Sequence, residues 1–236
     1  MILFLGDSFT WGQGLEWEYL INNEGWSYRR CNDNMPPHNA LERLPINCQD
    51  YRLKNHWPRL VAQEFNHQYH LGRCGNGGSN TDLLHIINNI EHHIHPENLD
   101  FIVIQLTHAL RAAHLEGVTS IDEFFENSFK DVKRTIDSFK EKYNNIKVLF
   151  ISWIPEYSPL IKKYYGENSL TTFSFKDKIY DSFDEFYKEL ALSKKYIEPN
   201  GYNLFDNHFS LEGHRFVADS VIEHIKKYNL ITPYEY

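Results

Sequence analysis

The chain of 236 residues contains 24% charged, 42% hydrophobic and 15% aromatic residues, and its formal net charge is −8. This composition excludes an intrinsically disordered chain, and the negative charge argues against nucleic acid as a partner. The length is typical of one domain with a sizeable core, so we expect a single domain over residues 1–236.

The cysteine content and the terminal residues bear on the cellular compartment. Cys31, Cys48 and Cys74 are too few for a disulfide scaffold and show no C-x-x-C spacing. The apolar run at residues 1–5 is too short for a signal peptide, and no apolar run approaches the length of a membrane span. These features predict a soluble, cytoplasmic protein without a membrane span, while nothing in them specifies an oligomeric state.

Strand and helix patterns alternate along the chain. Apolar runs predict strands at residues 2–5, 68–71, 101–106 and 147–151. Helical spacing of apolar residues predicts helices from Trp57, from about residue 80, over 121–143 and over 211–228. This alternation predicts a parallel sheet covered by helices on both faces, with ligands bound beyond the carboxyl ends of the strands.

Two aromatic-rich segments interrupt this pattern. Residues 15–55 show little periodicity and are interpreted as an irregular insertion. Residues 158–200 form the second insertion, with a helix predicted from about 175 to 192. We expect both insertions to form the wall of a substrate site, with Trp17 and Trp26 among the residues that determine specificity.

The residues that can carry chemistry lie near the two ends of the chain. Gly6, Asp7 and Ser8 follow the first predicted strand, whereas Asp206 and His208 come just before the last helix. A serine nucleophile needs a neighbouring base, and the base needs an acid to orient it. Ser8, His208 and Asp206 can supply these three roles, because residues two apart on an extended segment share one side.

These motifs resemble those of the SGNH (GDSL-type) hydrolase family, and the resemblance extends over most of the chain. Residues 6–8 resemble the nucleophile block, and residues 206–208 resemble the block that carries acid and base. Residues 77–80 resemble the block in which a glycine amide, here that of Gly78, lines the oxyanion hole. The resemblance implies a flavodoxin-like, three-layer α/β/α sandwich with about five parallel strands. It also implies ester hydrolysis without a metal or other cofactor.

Two positions depart from the family pattern. The Asp usually precedes the His by three residues, but Asp206 and His208 are two apart. The family often has Gly-x-Asn-Asp after the third strand, where the Asn side chain is an oxyanion donor, and here Ala109 takes the Asn position. We therefore expect the amides of Ser8 and Gly78 in the oxyanion hole, either joined by the side chain of Thr107 or Asn80 or acting without any side-chain donor.

The sequence predicts a serine esterase that removes small acyl groups, such as acetyl, from a small-molecule or carbohydrate ester. Three alternatives remain at this stage. A hydrolase of lipid esters or thioesters would need an apolar acyl channel, and an acyltransferase would use an alcohol in place of water. The third alternative is a non-catalytic binding domain that retains the scaffold. A histidine-rich stretch near residues 85–95 lacks an accompanying carboxylate pattern, so no metal site is predicted.

Overall fold

A five-stranded parallel sheet forms the centre of the structure. Its strands are β1 (Ile2–Leu5), β2 (Tyr69–Leu71), β3 (Phe101–Leu106), β4 (Lys147–Ser152) and β5 (Ser169–Leu170), in the spatial order β2-β1-β3-β4-β5. The structure is a computed structural model, and it describes residues 1–27, 29–31, 45–72, 79–107, 120–152, 154–175, 177–183, 185–186, 193–197 and 203–233. The predicted parallel sheet is confirmed, and its fifth strand lies inside the second predicted insertion.

Helices cover the sheet and complete a three-layer α/β/α arrangement, which confirms the predicted fold class. The helices are α1 (Ser8–Trp11), α2 (Leu15–Glu24), α3 (Ile46–Asn55), α4 (Trp57–Glu64), α5 (Asn80–Asn88), α6 (Ile121–Lys142), α7 (Ser158–Tyr165) and α8 (Leu211–Tyr228). Helix α4 packs against α8, and α5 packs against α6. No helix in the described part of the chain is both long and apolar enough to cross a membrane.

The main hydrophobic core contains residues from both the first strand and the last helix of the chain. All residues of β1 and β3 are buried, as expected for strands with helices on both faces. Val217, Val221 and Ile225 of α8 pack into the same core cluster as β1. A second, smaller cluster contains Trp17, Leu20, Cys31 and Cys48. The assignment of residues 1–236 to one domain remains a prediction.

Serine side chains fix the first turns of three helices. Ser79 accepts a hydrogen bond from the Asp82 amide, and the Asp82 carboxylate accepts one from the Ser79 amide, which forms a capping box. Ser120 caps α6 and Ser210 caps α8 in the same way, each accepting from a backbone amide three residues later. Ser79 is thus the cap of α5, and Asn80 is the first residue of that helix.

The first insertion is less irregular than its sequence indicates. Residues 15–55 contain α2 and α3, which pack against each other. Their helical pattern is hidden in the sequence because they bury charged residues, including Glu16, Glu18 and Arg52. Trp17 is only 6% exposed and belongs to the smaller core cluster, so its predicted place in a substrate wall is not supported.

The second insertion differs from its predicted secondary structure. Instead of a helix beginning at about residue 175, β6 (Phe173–Phe175) and β7 (Lys178–Tyr180) pair as an antiparallel hairpin. Residues 187–192 of the predicted helix lie outside the described residues. A further antiparallel pair joins β8 (Ser193–Ile197) to β9 (Asn203–Phe209), so residues 206–208 lie in a strand.

Candidate active site

A tight turn carries the chain from β1 into α1 at the carboxyl edge of the sheet. Ser8 is the first residue of α1, two residues beyond Gly6. A Cβ atom on Gly6 would lie 2.0 Å from Oγ1 of Thr10 and 3.3 Å from Cβ of Gln105. Glycine is therefore required here because α1 and β3 approach the backbone too closely for any side chain.

The carboxylate of Asp7 holds this turn against β3. Its Oδ1 accepts hydrogen bonds from the Phe9 amide and from Nε2 of Gln105, each at 3.0 Å. Its Oδ2 accepts from the Thr107 hydroxyl at 2.8 Å. Asp7 is fully buried, so these charge-assisted bonds replace the water that its carboxylate loses on folding. Asp7 therefore braces the segment that contains Ser8.

The two predicted side-chain oxyanion donors are engaged in other bonds. The hydroxyl proton of Thr107 is directed to Asp7. Nδ2 of Asn80 donates to the Thr107 carbonyl at 3.0 Å and to the Tyr157 hydroxyl at 3.2 Å, and Oδ1 of Asn80 accepts from the Thr107 amide at 2.9 Å. Both side chains are buried, so this geometry favours a bracing role for each. Gly78 and residues 108–111 lie outside the described residues.

Replacing Thr107 by valine tests this bracing role. Valine keeps the shape but leaves the buried Asp7 without one donor, so we expect the free energy of unfolding to fall by about 1–3 kcal/mol. Turnover should fall less than tenfold, below the roughly 10²- to 10³-fold loss typical of a missing oxyanion donor. Thermal unfolding and steady-state kinetics on p-nitrophenyl acetate measure the two effects. A loss in the larger range at unchanged thermal stability would instead assign Thr107 to the oxyanion hole.

His208 lies close to the residue that follows Ser8. Its ring centroid is 5.0 Å from that of Phe9, and the neighbouring Phe209 ring contacts Phe9 at 5.2 Å. Strand β9 thereby meets α1 at the carboxyl edge of the sheet. Asp206 belongs to the same strand, two residues before His208. The side chains of Ser8 and Asp206 lie outside the part that the structure describes.

His214 occupies a different environment in the first turn of α8. It is fully buried, its Nδ1 accepts a hydrogen bond from the Trp57 amide at 3.4 Å, and its ring packs on Phe209. Burial, together with neighbouring His56 and His208, lowers the pKa of His214 well below the usual histidine value. His214 is therefore a neutral imidazole that connects α8 to α4.

In the described ranges, no group of three or more His, Cys, Asp or Glu side chains is arranged to hold a metal ion.

Comparisons with known proteins bear on the fold. No protein-family model and no curated protein matches the chain. Among solved structures, a G-D-S-L family protein from Desulfitobacterium hafniense DCB-2 matches 94% of this chain and 98% of its own, with 13% identity and a TM-score of 0.42. A carbohydrate esterase whose active site displays divergent catalytic and non-catalytic binding functions matches 96% of this chain, with 16% identity and a TM-score of 0.54. This chain spans 64% of that esterase. The chain has an SGNH/GDSL hydrolase-like fold.

Within this SGNH/GDSL hydrolase-like fold, several residues around the site were missed by sequence reasoning. Gln105 bonds to Asp7 and to the Thr10 hydroxyl, and Tyr157 joins Asn80 to Ser128. One signal for Gln105 was present, since it is the polar residue in the otherwise apolar run of β3. Tyr157 had no such signal, because its partners lie far away in sequence.

Proposed function

We propose that this chain is a serine esterase with Ser8 as nucleophile, His208 as base and Asp206 as the acid that orients the base. The observation that carries the proposal is the contact between His208 and Phe9, the residue after Ser8, at the carboxyl edge of an SGNH/GDSL hydrolase-like sheet. Ligands of open α/β sheets bind at this edge. The Asp7 bonds support the role of Ser8, because a braced turn keeps a nucleophile in one position.

The proposed reaction follows the order of steps of a serine hydrolase. Ser8 Oγ attacks the ester carbonyl carbon while its proton passes to His208, and Asp206 stabilises the charged imidazole. The oxyanion is held by the amides of Ser8 and Gly78. The imidazolium then protonates the departing alcohol, which leaves an acyl group on Ser8. Water, deprotonated by His208, attacks this acyl group, and the acid is released as the proton returns to Ser8.

Small acyl groups on a carbohydrate are the proposed substrate class. The likeness in fold to a carbohydrate esterase supports this choice. Trp11, three residues after Ser8 at the end of α1, is partly exposed; the Arg52 guanidinium covers one face of its ring, and the exposed part of the indole is the surface proposed for stacking of a sugar ring. No metal or other cofactor enters the proposed mechanism.

A panel of esters tests this function. We expect kcat/KM to be higher for p-nitrophenyl acetate than for the octanoate, and we expect acetate to be released from acetylated oligosaccharides. Each activity should disappear in Ser8→Ala protein. Preference for octanoate would indicate a lipid or thioester hydrolase, and acyl transfer to added alcohols in place of hydrolysis would indicate an acyltransferase. Binding of acetylated oligosaccharides without turnover would support the non-catalytic alternative.

A further inference from the structure

The insertion helices α2 and α3 bury charged side chains where they meet the proposed catalytic elements. Glu16 is fully buried, while Glu18 and Arg52 are 5% and 6% exposed. Taking charges out of water costs several kcal/mol for each ion unless strong partners compensate. The groups that Glu16, Glu18 and Arg52 contact therefore indicate the role of these buried charges.

Arg52 connects α3 to the end of α1. Its Nε lies 2.6 Å from Oε1 of Glu16, and its Nη1 donates to the Trp11 carbonyl at 3.2 Å. Its guanidinium also lies over the Trp11 ring, 3.8 Å from the centroid. Trp11 is the last residue of α1, the helix that begins with Ser8. A cation at this end is favourable because the last carbonyls of a helix lack partners within it.

Glu18 makes the corresponding contact with α8. Its Oε2 accepts a hydrogen bond from the Leu211 amide at 3.2 Å, and its Oε1 accepts from the Tyr51 hydroxyl at 3.4 Å. Burial and the Glu18 carboxylate raise the pKa of Tyr51 to about 12, so its hydroxyl remains a donor. Leu211 is the first residue of α8, three residues after His208. An anion at a helix N-terminus is favourable because the first amide N–H groups of a helix lack partners within it.

We propose that Glu18 and Arg52 are positioning residues that hold the base-bearing and nucleophile-bearing segments in fixed relation through the packed pair of α2 and α3. This inference rests on the proposed esterase function. Glu18 contacts the junction of β9 and α8, and Arg52 contacts the end of α1, so the packed pair of α2 and α3 touches both halves of the site. Misplacement of a catalytic group by about 1 Å can lower turnover by roughly 10²-fold, so such contacts affect the rate without touching substrate.

Kinetics of Glu18 variants test the proposal. Glu18→Ala removes both acceptor atoms, whereas Glu18→Gln retains one acceptor oxygen and the side-chain shape. We expect kcat on p-nitrophenyl acetate to fall by about 10- to 100-fold in Glu18→Ala, with an intermediate loss in Glu18→Gln and KM within about twofold of wild type. Glu24→Gln is the matched control, since it removes the same charge from the exposed end of α2. Its kcat should equal that of wild type.

Arg52 requires a double variant, because Arg52→Met alone would leave the buried Glu16 carboxylate without its cation. Glu16→Gln combined with Arg52→Met removes both charges, and we expect it to lower kcat by about tenfold at unchanged KM. Thermal unfolding of each variant confirms that kinetics are measured on folded protein. If Glu18→Ala does not fold, the isosteric Glu18→Gln and the double variant decide the question.

These experiments distinguish failure of the positioning role from failure of the proposed esterase function. Wild-type hydrolysis that depends on Ser8, combined with unchanged kcat in the folded Glu18 variants and in the double variant, would overturn the positioning role alone. Wild-type protein without Ser8-dependent hydrolysis would contradict the esterase function itself and the positioning role with it. A lower kcat at constant KM, with partial rescue by glutamine, supports the proposal.

Discussion

Ser8→Ala protein is expected to lose ester hydrolysis by roughly 10³-fold or more in kcat, because no other group replaces a missing nucleophile in a triad. Binding of the substrate should persist, since the substitution removes only one hydroxyl. The loss is measured as steady-state turnover of p-nitrophenyl acetate, corrected for spontaneous hydrolysis. The melting temperature should stay near that of wild type, because Asp7 and Gly6 fix the turn independently of the Ser8 side chain.

Ser220→Ala is the control for this experiment. Ser220 lies in α8, where its hydroxyl donates to the Phe216 carbonyl within the same helix. Its removal should leave turnover unchanged. Wild-type turnover in pure, folded Ser8→Ala protein would remove Ser8 from the mechanism and with it the proposed triad.

His208→Ala is expected to have an effect of similar size, because the nucleophile then has no base to take its proton. His214→Ala should behave differently. Its imidazole is buried, accepts a bond from the Trp57 amide and packs on Phe209, so we expect a loss of about 1–3 kcal/mol in the free energy of unfolding. Folded His214→Ala protein should therefore retain most of its kcat.

Parallel measurement of kcat and thermal unfolding in both variants separates these roles. The opposite pattern, with activity retained in His208→Ala and abolished in folded His214→Ala, would make His214 the base. Loss of activity in both variants without any loss of stability would indicate that the two imidazoles act together.

The central strands and the last helix could be predicted because burial follows the apolar pattern there. Residues 2–5 are a continuous apolar run and form β1, and the apolar spacing of Val217, Val221 and Ile225 marks the inner face of α8. The short strand β5 has no such pattern, since it consists of only Ser169 and Leu170. Its place in the sheet follows from pairing with β4, a contact that sequence periodicity does not encode.

The two insertions were predicted less well for a physical reason. Helices α2 and α3 satisfy buried charges with each other and with neighbouring helix ends, so charged residues occupy positions that periodicity assigns to solvent. In the second insertion, the aromatic residues Phe173, Phe175 and Tyr180 belong to the β6–β7 hairpin instead of to a helix. Aromatic side chains also have high strand propensity, and tertiary pairing decided between the two structures.

Part of the candidate site followed from motif position and part did not. The placement of Ser8 after β1 and of His208 before α8 followed from the order of motifs along the chain. The direction of the Thr107 hydroxyl did not follow from the sequence. Thr107 follows β3 and Asp7 follows the neighbouring strand β1, so the hydroxyl donates its proton to the Asp7 carboxylate, a contact between segments far apart along the chain. The roles of Glu18 and Arg52 likewise depend on contacts between distant segments.

The central claim is that Ser8 is an activated nucleophile, and covalent labelling tests it most directly. Wild-type protein is treated with a fluorophosphonate probe, digested and examined by mass spectrometry, with His208→Ala protein and heat-denatured protein treated in parallel. A single phosphonylated site at Ser8 that requires both the native fold and His208 is the expected result. No label at Ser8, or a label on Ser8 that forms equally fast without His208, would contradict the account.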